Sequence, residues 1–357
     1  MKETADFDIV VIGAGLSGLL IGRQLQQAGL NVVMLEGRDR IGGRIHSVDT
    51  ANGTRVEMGA TWFGPQHIHL RKLLDTLQIE SFEQYMQGIT HYQPDPNQPI
   101  QQIQLPPQPP SYRIAGGTKA LIDKLAEGLQ HVHIGEKVKA VDFSEQLVSI
   151  HTDSETYQAQ KVISTLPPAL LVSNIQITPR LPTYVVSIAQ QTHTWMHDSI
   201  KESLVYEKPF WKERGFSGAL FSNVGPAVEF YDQSNSYNDR YALCGFLNNG
   251  LAHLSREQRK ELLLAQLEQA YGREAKEYIE YLETNWREEI FSSDGYQDLV
   301  PHQANGHPIY KQALYDQRFW IGGTETSTVY GGYMEGAVYR AHEIVKEVLA
   351  TSKRSVQ

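Results

Sequence analysis

The chain has a single cysteine, Cys244, in 357 residues. One thiol forms neither an intramolecular disulfide nor a thiolate metal cluster, so nothing in the sequence demands an oxidising compartment. Positive charge is also short: 32 Lys and Arg stand against 41 Asp and Glu, a formal net of −9. That balance argues against sequence-independent nucleic-acid binding, which needs cationic surface to displace counterions, and mildly favours cationic ligands. No run of 18 uninterrupted apolar residues occurs, so no membrane-spanning segment is expected. Residues 1–6 lack the basic region, apolar stretch and cleavage site of a signal peptide. These absences predict a soluble, cytoplasmic protein. Metal ligation is not expected either. His67 and His69, His131 and His133, and His193 and His197 come without a carboxylate or cysteine set at ligand spacing. Cys244, in an apolar run over 241–246, reads as a small core residue.

What is present begins with a βαβ unit. Residues 8–12 are an apolar run suited to a buried parallel strand. Gly13-Ala14-Gly15-Leu16-Ser17-Gly18 follows at once, then a helical pattern over 19–28, ended by Gly29, and a second strand over 31–35. Gly13 permits the tight turn, Gly15 lets backbone approach a pyrophosphate, and Gly18 lets helix and strand pack closely. The helix N-terminus, with Ser17 in its first turn, then faces the phosphates. Glu36 closes the second strand, placed to bind a ribose hydroxyl pair and to repel a 2′-phosphate. NADP is thereby disfavoured, while FAD and NAD both remain open at this point.

Glu36-Gly37-Arg38-Asp39-Arg40-Ile41-Gly42-Gly43-Arg44 continues directly from that acid. A glycine pair between arginines makes a turn flanked by guanidinium groups, able to hold a pyrophosphate from the side opposite the first loop. This run resembles the flavin amine oxidase (monoamine oxidase-like) family, and the resemblance returns along nearly the whole chain. Glu57-Met58-Gly59-Ala60-Thr61-Trp62-Phe63-Gly64-Pro65 resembles the family segment beside the flavin ring. Ala115-Gly116-Gly117-Thr118 and Val162 to Pro168 resemble segments of its FAD lobe, and Val138 matches the position whose backbone meets the adenine. The C-terminal block Trp320-Ile321-Gly322-Gly323-Thr324-Glu325-Thr326, with Gly331-Gly332-Tyr333-Met334-Glu335-Gly336-Ala337, is similar to the stretch that holds the ribityl chain and aims a helix N-terminus at the flavin.

The resemblance implies FAD as cofactor. It assigns Gly13, Gly15, Ser17, Gly18, Glu36, Arg38, Gly43, Arg44, Gly59, Ala60, Thr61, Trp62, Val138, Trp286, Gly323, Glu325 and Met334 to its binding. Ser199-Ile200-Lys201, with Pro209-Phe210-Trp211 downstream, resembles the segment carrying an active-site lysine, so Lys201 is expected to bond a water near flavin N5. Tyr296 and Tyr333 match the family's two-tyrosine aromatic cage, whose ring faces attract an amine. Where monoamine oxidases carry a flavin-bonded cysteine this chain has Gly295, so the FAD is expected to be non-covalent. The implied reaction is hydride transfer from the amine-bearing carbon to FAD, imine hydrolysis, and reoxidation by O2 with release of H2O2.

The sequence also departs from the family. Typical members are longer, and the missing length falls between about Gln84 and Tyr112, where they insert a mostly helical part of the substrate domain. Residues 93–110 hold seven prolines and many glutamines. They read as a connection that sits in neither sheet nor helix, with polyproline II character. The flavin face is therefore expected to be more open, or covered by another subunit or a partner. Gly59-Ala60-Thr61-Trp62 lacks the arginine that captures a carboxylate in L-amino acid oxidases, which points to amines rather than free amino acids.

The expected fold is α/β (α+β overall): a Rossmann-like, doubly wound FAD domain from 1–80, 111–190 and 289–357. A smaller substrate domain with a mixed sheet would come from 81–110 and 191–288, with strands over 203–206 and 241–246 and a helix over 256–271. Two other readings stay open. One is a flavin desaturase or dehydrogenase on an apolar substrate; the other is a non-enzymatic protein that retains FAD as a structural element.

Overall fold

The computed structural model describes residues 5–292 and 299–354. Its organising element is an eight-stranded sheet containing β1 (Phe7–Ile12), β2 (Val32–Glu36), His131–Ile134 and Thr156–Ser164. β1 lies between β2 and Thr156–Ser164, parallel to both, with Val10 opposite Val33 and Val162. Val10 and Val11 are fully buried, as a strand covered on both faces requires. Helix α1 (Leu16–Gln27) crosses from β1 to β2. The C-terminal strand Phe319–Ile321 adds in parallel to Thr156–Ser164, and the last helix, Met334–Arg354, packs against α1. Leu19, Leu20, Ile344 and Val348 share one core there.

A second, seven-stranded sheet runs in the order Glu280–Asn285, Ile200–Tyr206, Tyr241–Leu247, Ala227–Asp232, Phe216–Ser222, Ile89–Gln93, Gln101–Ile103. It is antiparallel except where Phe216–Ser222 runs parallel to Ile89–Gln93, so it is mixed. Helix Arg256–Tyr271 covers one face and buries Leu263, Leu267 and Tyr271 against the sheet. Its start is fixed by Ser255, whose hydroxyl accepts from Gln258 N while the Gln258 side chain accepts from Ser255 N, a reciprocal capping box.

One sequence expectation fails in part. The Pro/Gln-rich stretch does enter a sheet: Gln101–Ile103 pairs with Ile89–Gln93, Ile103 opposite Thr90. The physical reason is position. This is an edge strand, which donates on one side only, and the prolines at 99 and 106 flank it rather than interrupt it. The ends of the short connection are also zipped together, by pairing of Ser81–Glu83 with Tyr112–Ile114 and by Gln84 N donating to Ser111 O at 2.8 Å.

The segment from Arg55 to Trp62 lies between the two sheets. Val56 and Met58 share a buried cluster with Val205 and Ala242 of the second sheet. Cys244 donates to Glu57 O at 3.4 Å, and the Trp286 indole donates to Met58 O at 2.9 Å.

On the opposite face of the lysine-bearing strand, Glu202 stands opposite Glu283, which is held by Arg259 and by the Tyr281 hydroxyl at 2.9 Å. Burial pushes the Glu202 carboxyl well above the usual range, with the Glu283 charge adding to it and the Tyr281 hydroxyl opposing. Burial acts the same way on Glu283, but the bonds from Arg259 and Tyr281 outweigh it and hold that group low. A neutral folded-state Glu202 that ionises on unfolding gives stability that is full at acid pH and lost as pH rises past the unfolded carboxylate range. Glu202→Gln is therefore expected to lose less thermal stability than the native chain between pH 5 and pH 8. Parallel melting curves measure this, and identical slopes would count against a neutral Glu202.

Candidate active site

A cavity of about 310 Å³ begins at the β1–α1 turn and ends against the second sheet. The turn shows the three glycine demands separately. Gly13 adopts φ +98°, a conformation that L side chains rarely occupy. A β-carbon on Gly18 would lie 1.9 Å from Gly13 O, whereas one on Gly15 would meet nothing nearer than 3.9 Å and would project beside the cavity. Glu36 is buried and accepts from Ala14 N at 2.8 Å and Arg38 N at 3.0 Å, so its carboxylate is fixed at the cavity wall. Val138 lines the same end.

Gly42 and Gly43 sit directly beside the first loop: Gly42 N donates to Ala14 O at 2.8 Å, and Gly15 bridges to Gly42. The flanking guanidinium groups reach the cavity with protein partners already in place. Arg38 donates to Ser292 Oγ at 2.8 Å and Glu289 at 3.3 Å. Arg44 pairs with the fully buried Glu325 at 2.6 Å and donates to Trp195 O at 3.0 Å. Arg40 turns away to the carbonyls of Gly43 and Ile45. Two helix N-termini converge on the cavity. Ser17 of α1 and Met334 and Ala337 of the last helix line it, and Ser17 Oγ donates to Ala337 O at 3.3 Å. This open glycine cradle, fixed acid and paired positive helix ends fit a dinucleotide with its pyrophosphate at Gly15 and Gly43.

At the far end, Gly59, Ala60, Thr61 and Trp62 form one wall and Tyr333 another. Lys201 is not part of the lining. It is fully buried behind the wall, where Nζ donates to Gly59 O at 2.7 Å and Thr61 Oγ1 at 2.5 Å. The Trp62 and Phe246 rings lie 4.8 and 5.2 Å from it. Burial lowers its pKa against the pull of Cys244, Glu57 and Glu229. Gly18, Trp286, Gly323 and Glu325 likewise stand behind the lining rather than in it. Gly18 and Gly323 pack against backbone, and Trp286 and Glu325 hold Met58 O and Arg44. Tyr296 and Gly295 lie outside the described residues.

Sequence reasoning missed several neighbours. Tyr333 lies in near-parallel ring contact with His302 (5.3 Å, 17°) and Trp195 (6.1 Å, 23°). His193 accepts from His302 N through Nδ1 at 3.2 Å, as a neutral ring does, and burial with the nearby His197 and His302 lowers its pKa. These residues come from segments a hundred positions apart, so no spacing signal joins them. Glu335 is fully buried and accepts from His69 N at 3.0 Å and Leu70 N at 2.7 Å, capping helix Ile68–Thr76. Glu229 and Phe246 also line the cavity.

Comparison with known proteins now decides the family. The model for flavin containing amine oxidoreductases matches residues 16–100 and 101–349. The chain belongs to that family. It is a flavin-dependent oxidoreductase acting on amines. A probable flavin-containing monoamine oxidase A of Dictyostelium discoideum is 24% identical over 459 aligned positions, covering 97% of this chain and 99% of the relative. Human flavin-containing amine oxidase B is 24% identical, covering 96% of this chain and 86% of its own length. Since the first alignment is 459 positions long against a 357-residue chain, about a hundred positions of that relative have no counterpart here. In fold, the chain resembles a putrescine oxidase bound to putrescine (TM-score 0.84, 22% identity, 96% of this chain and 99% of that one). It also resembles cyclohexylamine oxidase from Brevibacterium oxydans (TM-score 0.85, 19% identity, 98% and 100%).

The family's cofactor cradle generates one prediction. Gly18→Ala forces a β-carbon into Gly13 O, an over-packing that costs about 1–3 kcal/mol, so the variant is expected to bind flavin about tenfold more weakly and to purify with less of it than the native chain. The ratio of flavin to protein absorbance checks this; full flavin loading would refute the close-packing role.

Proposed function

We propose that the chain binds FAD without a covalent link and oxidises small amines at the end of the cavity bounded by Tyr333, Trp62 and the Gly59–Thr61 backbone. The observation that carries the reading is the continuity of one cavity from the dinucleotide cradle to an aromatic wall backed by a buried lysine. FAD bound there supplies the two-electron chemistry: the amine-bearing carbon loses a hydride, the imine is hydrolysed to a carbonyl compound and ammonia or a smaller amine, and dioxygen takes the electrons to become hydrogen peroxide.

The chain's own residues orient and select. Tyr333 presents a ring face to an incoming amine. The positive end of the last helix favours negative charge at the cavity wall where Met334 and Ala337 stand. Lys201 fixes Gly59 and Thr61, and so the distance of that wall from the ring site; its bond to the Thr61 hydroxyl, which lies in the lining, together with its lowered pKa, supports a role in holding a proton there. Non-covalent attachment is supported by the position of Cys244, which is buried in the second sheet, bonded to Glu57 O, and pushed up to about 11 by burial. Trp195 and Tyr333 are more than a third exposed, so the ring site opens outward. That supports access for small amines and dioxygen without a helical cover.

Three outcomes test the reading. Anaerobic mixing with a panel of amines is expected to bleach the oxidised flavin band, and air is expected to restore it with peroxide formed. A flavin left oxidised by every amine would move the weight to a desaturase on an apolar substrate. Acid precipitation is expected to leave a colourless pellet and a yellow supernatant; a yellow pellet would overturn non-covalent binding. Lys201→Met is expected to slow flavin reoxidation about a hundredfold or more, in the range typical of a lost proton-handling group, with stopped-flow absorbance as the readout. An unchanged rate would remove Lys201 from the chemistry.

A further inference from the structure

Two segments far apart in the chain are joined behind the mouth of the cavity. His193 N donates to Gln303 O at 3.0 Å, Asn305 Nδ2 donates to His193 O at 3.0 Å, and His302 N donates to His193 Nδ1 at 3.2 Å. The third bond fixes a tautomer. A ring nitrogen that accepts carries no proton, so His193 holds its proton on Nε2. His302 is fixed the other way. Its Nδ1 lies 3.1 Å from Gly331 O and 3.2 Å from Asn305 Oδ1, both acceptors, so Nδ1 carries the proton and donates. The Asn305 amide is oriented by its own bond to His193 O, which leaves Oδ1 for His302.

Through Gly331, His302 holds the turn that leads into Tyr333. Gly332 follows at φ +90°, and a β-carbon there would lie 3.2 Å from Trp195 Cβ and 3.4 Å from His302 Cε1. The turn therefore runs tightly against both residues. Beyond it the rings of Trp195, His302 and Tyr333 are mutually near-parallel, at 16°, 17° and 23°, with centroids 5.3, 5.4 and 6.1 Å apart. Trp195, Gly332 and Tyr333 line the cavity, and the two histidines stand behind that lining. A ring attracts a cation through its face and not its edge, so the plane in which Tyr333 is held decides how well it serves an amine.

We propose that His193 and His302 are positioning residues of the amine site: His302 sets the Gly331–Tyr333 turn and the plane of the Tyr333 ring, and His193 holds His302 through an unprotonated Nδ1. The inference rests on the amine-oxidising reading and deepens it by tying amine capture to the acid–base state of one ring behind the wall. A second proton on His193 has only Nδ1 to occupy, where it meets the His302 N–H, so protonation breaks the bond. Burial is the main cause that lowers the His193 pKa; His197 and His302 add to it, while Asp198 and Glu325 oppose. The charge of Glu325 is itself answered by Arg44, which also bonds Trp195 O, and His197 is tied through Nδ1 to Thr194 O. The support is thus present at neutral pH and lost as pH falls below the usual imidazole range.

The test uses the flavin-loaded protein, with each variant first shown to retain flavin, and benzyltrimethylammonium as the probe. The charge of that cation does not titrate, so any pH dependence of its binding belongs to the protein. Isothermal calorimetry on the native chain is expected to show binding about tenfold weaker at about pH 5 than at about pH 8, the share of one well-aligned ring contact. Tyr333→Leu is expected to lose that share across the whole range. His193→Asn supplies an amide oxygen in place of Nδ1 and does not titrate; it is expected to match the native affinity at the alkaline end and to keep it in acid. His302→Ala and His193→Phe are expected to bind weakly at both ends. A flat native profile, an acid loss that survives in His193→Asn, or native affinity in His302→Ala or Tyr333→Leu overturns the proposal. If no amine bleaches the flavin while the probe follows the expected pattern, the amine-oxidising reading fails and the positioning pair stands. If amines bleach the flavin and the pattern is absent, the pair fails and the reading stands.

Discussion

The buried bond from Lys201 to Gly59 O is the constraint on which the site depends. An ammonium with no exposed surface is costly to bury and is retained only where donors and charge are answered locally. Here the answer is a backbone carbonyl, a threonine hydroxyl and two ring faces, all belonging to or packed against residues 59–62 or the neighbouring strand. The same segment is held a few residues earlier by Trp286 on Met58 O and by Cys244 on Glu57 O. Three bonds from the second sheet and its connections thus fix one wall of a cavity whose other walls belong to the first sheet. The relative placement of the two sheets and the shape of the cavity are one quantity.

The opposite wall is set by helix ends. α1 and the last helix begin at the cavity and are tied to each other through Ser17 and Ala337. Glu335, within the first turn of the last helix, spends its charge on the amides of His69 and Leu70 rather than on the cavity. The positive end of its own helix is therefore kept while a third helix is capped, with Tyr333 just before the last helix. Arg44 contributes in the same way from the glycine-pair turn. Its ion pair with Glu325 and its bond to Trp195 O connect the nucleotide cradle to the aromatic mouth.

How much of this was legible in the sequence follows from how local each feature is. The βαβ unit, the roles of Gly13, Gly15 and Gly18, and the strands near 203–206 and 241–246 depend on contacts within a few residues or on alternation, and both leave a pattern. The helix over 256–271 is of the same kind, whereas its cap at Ser255 was not read. The arginines beside the glycine pair were readable as charges but not as partners, because Glu289, Ser292 and Glu325 are supplied from about 250 positions away. The edge strand Gln101–Ile103 was hidden because proline content was weighed without knowing that only one side of the strand needed to bond. Lys201 could be placed near the site by resemblance, but not behind its wall, since that depends on the register of its strand with Phe246.

The connection between Gln84 and Arg113 is tied to the far end of the cavity at both of its ends. Gln84 and Arg113, at the two ends of that connection, meet on Asp232: Gln84 Nε2 donates to Asp232 O at 2.8 Å, and Arg113 lies 3.9 Å from the carboxylate and bonds Ser234 O. Gln84 also accepts from the Trp62 indole at 2.8 Å. The two ends of this connection are therefore joined by polar bonds that steady Trp62 and the strand carrying Glu229 and Tyr231. The rings of Trp62, Trp195, Tyr333 and Phe246 line the far end and limit the water that reaches it. In this chain one glutamine, Gln84, ties the start of the connection both to the Trp62 ring at the cavity wall and to the strand behind it.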